Sequence, residues 1–432
     1  MIMKEGVFML LDFRIKNYKS FKNEARLNLV PAPKQKDLEY SILKKIVANK
    51  EYKGLSTAVL YGPNAAGKTN VIGAIDTLIH LLDRGHINNV SETKSMNIAA
   101  GKLELIPNNE LTETMPVEFF ISFIKNKKLF DYELCIDIGT FLDFNAERKV
   151  IKEKLSVNGT EEFVRKFNKI IISESYSEIK YLEELLSTNL SETELFISNG
   201  YKNLINNVVY NEFISYLNND LTVLYRADAL TISQRADSDK KIVKDNELSE
   251  VANEIGSINS NIGFIHHKKD SASELTSFFE SDKRNVSIPS HLIESYGTIR
   301  FLNLYPIIKR VLSTGGALIV DEFDASIHPM VLLDIVNIFH NDEINVNKAQ
   351  LIFNTHNPIF LNSSVLRRDE IKFVEKDENG SAIYSLADFQ TSGKSGVRKT
   401  DDYMKHYFIN KYGAILDVNL SDLFEVGNEK TN

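Results

Sequence analysis

"YGPNAAGKTN", Tyr61–Asn70, follows a short apolar run and precedes a helical pattern. Gly62, Gly67, Lys68 and Thr69 fit G-x-x-x-x-G-K-[ST]. In such a loop the glycines let the backbone wrap closely, and successive N–H groups point inward. The helix N-terminus adds a favourable partial charge for an anion. Lys68 is placed to reach the β- and γ-phosphates of a nucleotide, and Thr69 to ligate magnesium. Gly62, Pro63, Asn64, Ala65, Ala66, Gly67, Lys68, Thr69 and Asn70 are therefore the candidate nucleotide-phosphate-binding loop, of a kind that kinases, GTPases, helicases and ABC-type ATPases all use.

Working outward, "STAVLYG" is a short strand running into this loop. "KTNVIGAIDTLIHLL" carries Val71, Ile72, Ile75, Leu78, Ile79 and Leu82 at helical spacing. Upstream, "LLDFRIKNYKSFKNEARLNLV" alternates apolar and polar residues. It predicts two strands joined by a turn near Tyr18–Asn23. Downstream, "MPVEFFISFIKNKKLFDYELCIDIG" predicts a hairpin turning at Lys125–Lys128, and "ERKVIKEKLSVNG" another strand of that sheet.

From about residue 160 to 285 proline is absent, and stretches such as "YSEIKYLEELLSTNL" are amphipathic. We expect a helical insertion without sustained heptads or an internal repeat. The last third returns to alternating strands and helices. "GGALIVDEFD" is a strand ending in two acids, "MVLLDIVNIFH" a helix, and "AQLIFNTHNP" a strand ending in a histidine. The expected architecture is α/β, with a mixed sheet carrying the glycine loop, a second antiparallel sheet, and the insertion. The expected division is an N-terminal ATPase lobe over 1–158, the insertion or lid over 159–285, and a C-terminal lobe over 286–432.

The bulk numbers agree with an ordinary soluble globular protein. The chain of 432 residues is 43% hydrophobic and 25% charged, with a net charge of -8. That acidity argues against a surface that coats nucleic acid, while leaving room for a local basic groove. Cys135 is the single cysteine, which excludes an internal disulfide. No apolar run is long enough to span a membrane, and the N-terminus lacks a signal-peptide body. We expect a cytoplasmic protein with no membrane association.

Asp321 and Glu322 end the run Ala317–Val320. Delivering two acids to the end of a buried strand is costly unless a cation waits there. Asp321 is the expected magnesium partner, and Glu322 the residue that polarises the attacking water. His356 ends the next strand and suits a γ-phosphate contact or sensor. Ser295 and Gly297, in "ESYGTIRF", stand about 25 residues before the acidic pair at the start of a helical pattern. They form a second anion site. Two such sites per chain suggest one nucleotide held between two chains.

The order glycine loop, Ser-x-Gly-Thr, apolar-Asp-Glu, Thr-His resembles the ABC/SMC-type ATPase head. "FRIKNYKSFKN" is similar to the N-terminal strands of SMC and RecF proteins. "DEFDASIHP" and "YFINKYGAIL" resemble the AAA-type ABC ATPases of bacterial phage defence and abortive infection, a group with RloA, AbiLi and the AriA subunit of PARIS. The resemblance covers roughly residues 10–85 and 290–415. It implies ATP and Mg2+ as ligands, and Ser295 and Gly297 as a signature contacting the γ-phosphate held by another subunit. A homodimer or higher homo-oligomer follows, closed by the ATP sandwich. Two features depart from transporter-type ATPases. His328 stands where those have the aspartate after the acidic pair, as in the SMC-like branch. No glutamine (Gln35, Gln234, Gln350, Gln390) falls in the expected hairpin, where Glu118 is a candidate.

The leading expectation is an ATPase whose nucleotide state controls a separate effector, a toxin or nuclease, in anti-phage defence, with DNA or a phage component as a trigger. The alternatives are a RecF/SMC-like DNA-repair ATPase and an ATP-gated scaffold with little turnover. Glu322 speaks against the scaffold. About 75 residues follow His356, few for a nuclease domain. Glu375, Asp377 and Glu378 read as acids of a polar turn before a hairpin strand.

Overall fold

In the computed structural model the described residues are 8–33, 35, 38–88, 105–141, 143, 146–225, 242–244, 246–257, 262–266, 273–281, 284–392 and 396–415. β1 (Phe8–Lys16) and β2 (Ala25–Asn28) pair antiparallel across a turn closed by Tyr18 and Phe21. β3 (Ile42–Val47) and β4 (Lys50–Leu55) form a separate hairpin. β5 (Thr57–Tyr61) feeds the glycine loop and the P-loop helix, Lys68–Arg84. β6 (Val117–Lys125), β7 (Lys128–Asp137), β8 (Lys149–Val157), β9 (Thr160–Lys166) and β10 (Lys169–Ile172) follow as a meander. With β1 and β2 they make a seven-stranded antiparallel sheet, ordered β10-β9-β8-β7-β6-β1-β2.

Next come β11 (Leu221–Leu224), β12 (Ile242–Lys244), β13 (Ile262–His266), β14 (Ser273–Ser281) and β15 (Arg284–Pro289). The signature helix, Tyr296–Thr314, leads to β16 (Ala317–Val320). A helix over Pro329–His340 connects to β17 (Gln350–Asn354), and β18 (Ile371–Asp377) and β19 (Gly380–Ser385) close a hairpin. The second large sheet is ordered β11-β16-β17-β5-β18-β19. It is parallel except for β19.

Its central strands are fully buried because both faces are covered. Alternate residues point into two different cores. Ala58, Leu60, Ala317, Ile319 and Ile352 face the P-loop helix and the antiparallel sheet. Val59, Tyr61, Leu318, Val320, Leu351 and Phe353 face the helix 329–340 and the C-terminal aromatics. The period-two pleat thus turns short buried strands into a shared wall between two cores. Tyr407 and Tyr412, from the "YFINKYGAIL" stretch, pack on Phe373, and Tyr407 also packs on Tyr61. That stretch supports the strand that carries the loop.

The segment 160–285 departs from the helical expectation. Helices are present at Leu182–Asn189, Asn207–Ser215 and Asn246–Glu254. Yet β9 and β10 extend the antiparallel sheet, β11 joins the parallel sheet beside β16, and β12–β15 make a four-stranded sheet. The reason lies in partners distant in sequence. Leu221 pairs with Ala317 and Leu224 with Val320. In β9 the inward residues include Arg165, fully buried, whose guanidinium donates to the carbonyls of Phe167, Ser191 and Glu194. An arginine facing inward hides the strand's alternation from a hydrophobicity reading. The expected boundary at 158/159 falls in the β8–β9 hairpin turn, and the one at 285/286 inside β15.

Candidate functional site

The site lies at the C-terminal edge of the parallel sheet, where β16, β17 and β5 end side by side. Loops at the carboxyl ends of parallel strands are the usual place for ligands. Gly62 and Gly67 have positive φ, 156° and 113°. Each is also sterically closed. A Cβ on Gly62 would meet the Val374 carbonyl oxygen at 2.2 Å, and one on Gly67 would meet Ser20 Oγ at 2.7 Å and Ser381 Oγ at 2.9 Å. Ser381 donates to the Ala66 carbonyl at 2.6 Å, while Asn70 Nδ2 donates to Ser20 Oγ at 2.8 Å. The loop is therefore braced from behind by the β1–β2 turn and the β18–β19 hairpin. Asn64 and Ala65 are exposed at its front, whereas Ala66 is buried.

Lys68 is buried and folds back on its own loop, donating to the carbonyls of Gly62 (2.6 Å) and Pro63 (3.0 Å). Burial lowers its pKa to about 8, and Asp321, Asp324 and Glu322 oppose that shift. Thr69 Oγ1 donates to Asp321 Oδ1 at 3.0 Å, so the helix start and the end of β16 meet. A hydroxyl and a carboxylate are the hard oxygen donors that magnesium takes. Asp321 is buried, and Asn354 Nδ2 also donates to it.

Glu322 is exposed at the same edge, with φ 52°. Its backbone N–H donates to Asn354 Oδ1 at 2.6 Å, and its carbonyl accepts from Arg300 Nη2 at 2.7 Å. His356 is exposed just beyond β17, its backbone N–H on Asp324 Oδ2 at 3.3 Å. Partial desolvation, then the Lys68 charge, lower the imidazole pKa below its usual value.

Ser295 is the N-cap of the signature helix and accepts from Thr298 N at 3.1 Å. A Cβ on Gly297 would meet the Ser326 carbonyl oxygen at 2.1 Å, so the helix sits directly on the loop that follows Glu322. The site residues expected from the sequence thus fall into two groups. The loop, Asp321, Glu322 and His356 gather at one sheet edge. Ser295 and Gly297 abut the Glu322–Ser326 loop from the signature helix.

Other residues singled out in the sequence have the following partners. Glu118 pairs with Lys16 at 2.9 Å on the antiparallel sheet. Gln350 is buried, accepting from Leu10 N and donating to the Leu10 and Leu55 carbonyls. His328 caps the helix 329–340 through Met330 N. Glu375, Asp377 and Glu378 are exposed, and Glu375 accepts from Tyr384 and Ala414 N. Ser20, Ser381, Asn354 and Arg300 were missed. Only Asn354 had a local signal, as a polar residue closing an apolar strand two positions before His356.

This α/β fold, with a glycine loop between a parallel strand and a helix and two acids at the end of a neighbouring strand, is of the P-loop class. Residues 58–362 match the family described as AAA domain, putative AbiEii toxin, Type IV TA system. The match spans more than half of the chain, which belongs to that family. Among solved structures the chain is similar to the SMC head domain from Thermotoga maritima, at 14% identity and a TM-score of 0.33, over 87% of this chain and 98% of that one. Among the described residues no helix is long and apolar enough to cross a membrane.

Proposed function

We propose that the chain binds and hydrolyses ATP between two copies of itself, and that its nucleotide state controls a separate effector in anti-phage defence. The observation that supports this best is the contact of Thr69 with Asp321, with Glu322 exposed beside it. It puts the loop, a magnesium-type donor pair and a water-facing carboxylate at one edge. Thr69 and Asp321 would hold the ion, which when bound offsets phosphate charge. Lys68 exchanges the carbonyls of Gly62 and Pro63 for the β- and γ-phosphates. The loop amides fix the nucleotide, and Glu322 orients the attacking water. His356 is available to donate a ring N–H hydrogen bond to the γ-phosphate.

The family description, with its toxin and type IV TA system, supports a role in such two-component systems, as does the likeness of "DEFDASIHP" to the RloA, AbiLi and AriA group. The acidic net charge of -8 favours a protein partner over DNA as the main ligand. We place the partner or trigger contact within residues 160–285, whose strands β9–β11 complete the two large sheets.

Glu322→Gln tests the chemistry. Turnover should fall by roughly 10²–10⁴ with ATP binding kept, and an ATP-bound dimer should accumulate on gel filtration. Turnover near wild type would exclude Glu322 as the water-orienting group. Mixing Lys68→Ala with Ser295→Arg chains tests the shared site. One working site per heterodimer is expected, and an inactive mixture of chains that still dimerise would exclude the trans arrangement. Incubating the protein with ATP, magnesium and plasmid, tRNA or phage DNA tests the separate effector. Cleavage that Lys68→Ala removes would show that the chain is itself the weapon.

A further inference from the structure

We infer that Arg300 and Asn354 are positioning residues that clamp the backbone of Glu322, and that Arg300 ties this carboxylate to the Ser295–Gly297 helix end of the same chain. The inference rests on Glu322 being the water-orienting group.

Glu322 has φ 52°, in the left-handed region that a residue with a Cβ adopts at some cost. Its side chain is exposed, so packing does not hold it there. The backbone is held instead. Asn354, buried at 1% exposure, accepts from Glu322 N at 2.6 Å. Its amide nitrogen donates to Asp321, so one side chain sets both acids. On the other side of the Glu322 Cα, in the next peptide unit, Arg300, buried at 8% exposure, donates to the Glu322 carbonyl at 2.7 Å. The two clamps come from different elements, the end of β17 and the signature helix.

Arg300 lies one turn beyond Gly297, which is itself pressed on the Ser326 carbonyl. The signature helix therefore touches the loop 322–326 twice, through a backbone contact and through a charged hydrogen bond. An anion that draws the Ser295 end of the helix toward it would shift the Arg300 guanidinium, and with it the plane of the Glu322 peptide. Occupancy of the signature on one chain is thus coupled to the carboxylate of that same chain. The apolar groove between the signature helix and the helix 329–340 gives no comparable argument, since nothing on it selects an occupant.

The test is a double-mutant cycle on the full chain, with Arg300→Ala and Arg300→Lys each made in the wild-type and Glu322→Gln backgrounds. ATP affinity and steady-state turnover are measured for every variant. In the wild-type background Arg300→Ala should lower kcat by about tenfold or more while KM and ATP affinity change by less than about threefold. Arg300→Lys should recover part of that loss. In the Glu322→Gln background Arg300→Ala should add no further loss, because both act on one group. An unchanged kcat, or an equal loss in both backgrounds, would overturn the clamp and leave the role of Glu322 standing. If Arg300→Ala gives no cooperative melt, Arg300→Lys carries the same cycle. Near-normal turnover of Glu322→Gln would remove both readings.

Discussion

The helix N-termini at Gly67 and Ser295 solve the same electrostatic problem differently. The P-loop helix begins at Gly67, left-handed and with no side-chain cap. The signature helix begins at Ser295, extended, and its own hydroxyl accepts from Thr298 N. Both present the positive end of a helix dipole. The first has a buried lysine folded at its mouth and rigid walls behind it. The second is self-satisfied, with Ser295 and Tyr296 exposed. The first is thus complete as an anion site within one chain. The second carries no such lysine, and its hydroxyl, which accepts from Thr298 N and also bonds Thr298 Oγ1, can turn its proton to an arriving anion while keeping the cap, which suits a contact made only when another molecule arrives.

If that contrast is right, removing the lysine has the largest effect. Lys68→Ala should weaken ATP binding on the order of 100-fold, the range of a lost charge-assisted hydrogen bond. Isothermal titration reads it directly, and wild-type affinity would break the assignment of the first site.

The same lysine makes the first site sensitive to pH in a way the second is not. With a folded-state pKa near 8, Lys68 loses its charge as pH rises above that value. ATP affinity should drop by about tenfold between pH 8 and pH 9.5, since the neutral amine no longer meets the phosphates. The stability of the ligand-free protein moves the other way. Between about 8 and the ordinary value of 10.5 the unfolded chain binds more protons than the folded one. Lys68 therefore contributes stability that increases with pH across that window. Titrations and melts at pH 7.5, 8.5 and 9.5 check both trends. Affinity that is flat over the range would contradict the lysine's role.

Gly297→Ala sharpens the comparison from the other helix. The added Cβ meets a backbone oxygen, so the loop or the helix must shift, at a cost of roughly 1–3 kcal/mol. The melting temperature should fall, and turnover should fall more than ATP affinity does. Ser295→Ala is the mildest change. It removes an N-cap at a cost of roughly 1 kcal/mol. A melting shift without any loss of turnover would reduce Ser295 to a cap and end its part in the comparison.

Local chemistry carried the strands and helices that bear the motifs. The alternation in β1, β2, β6 and β7, the apolar runs of β5, β16 and β17, and the helical spacing after Lys68 stand where they were expected. The reason is that each is specified by near neighbours, by a period of two or 3.6 residues. The glycine loop, Asp321, Glu322 and His356 were legible because strand ends at a sheet edge collect residues of known chemistry.

Other features depended on which distant segments meet. β11 is four residues long and exists because β16 offers it a parallel edge. β9 hides its alternation because Arg165 faces inward and is satisfied by carbonyls 26 and 29 residues away. Ser20 and Ser381 close around Gly67 from opposite sheets. Arg300 and Asn354 reach Glu322 from 22 and 32 residues away. None of these residue types announces such a role by itself. The sequence alone determined that the chain carries a phosphate loop, two acids at a strand end and a second helix-terminal serine. Tertiary structure decided how the loop is braced, which conformation Glu322 takes and what holds it there. Those depend on hydrogen bonds and steric contacts between segments that share no local pattern.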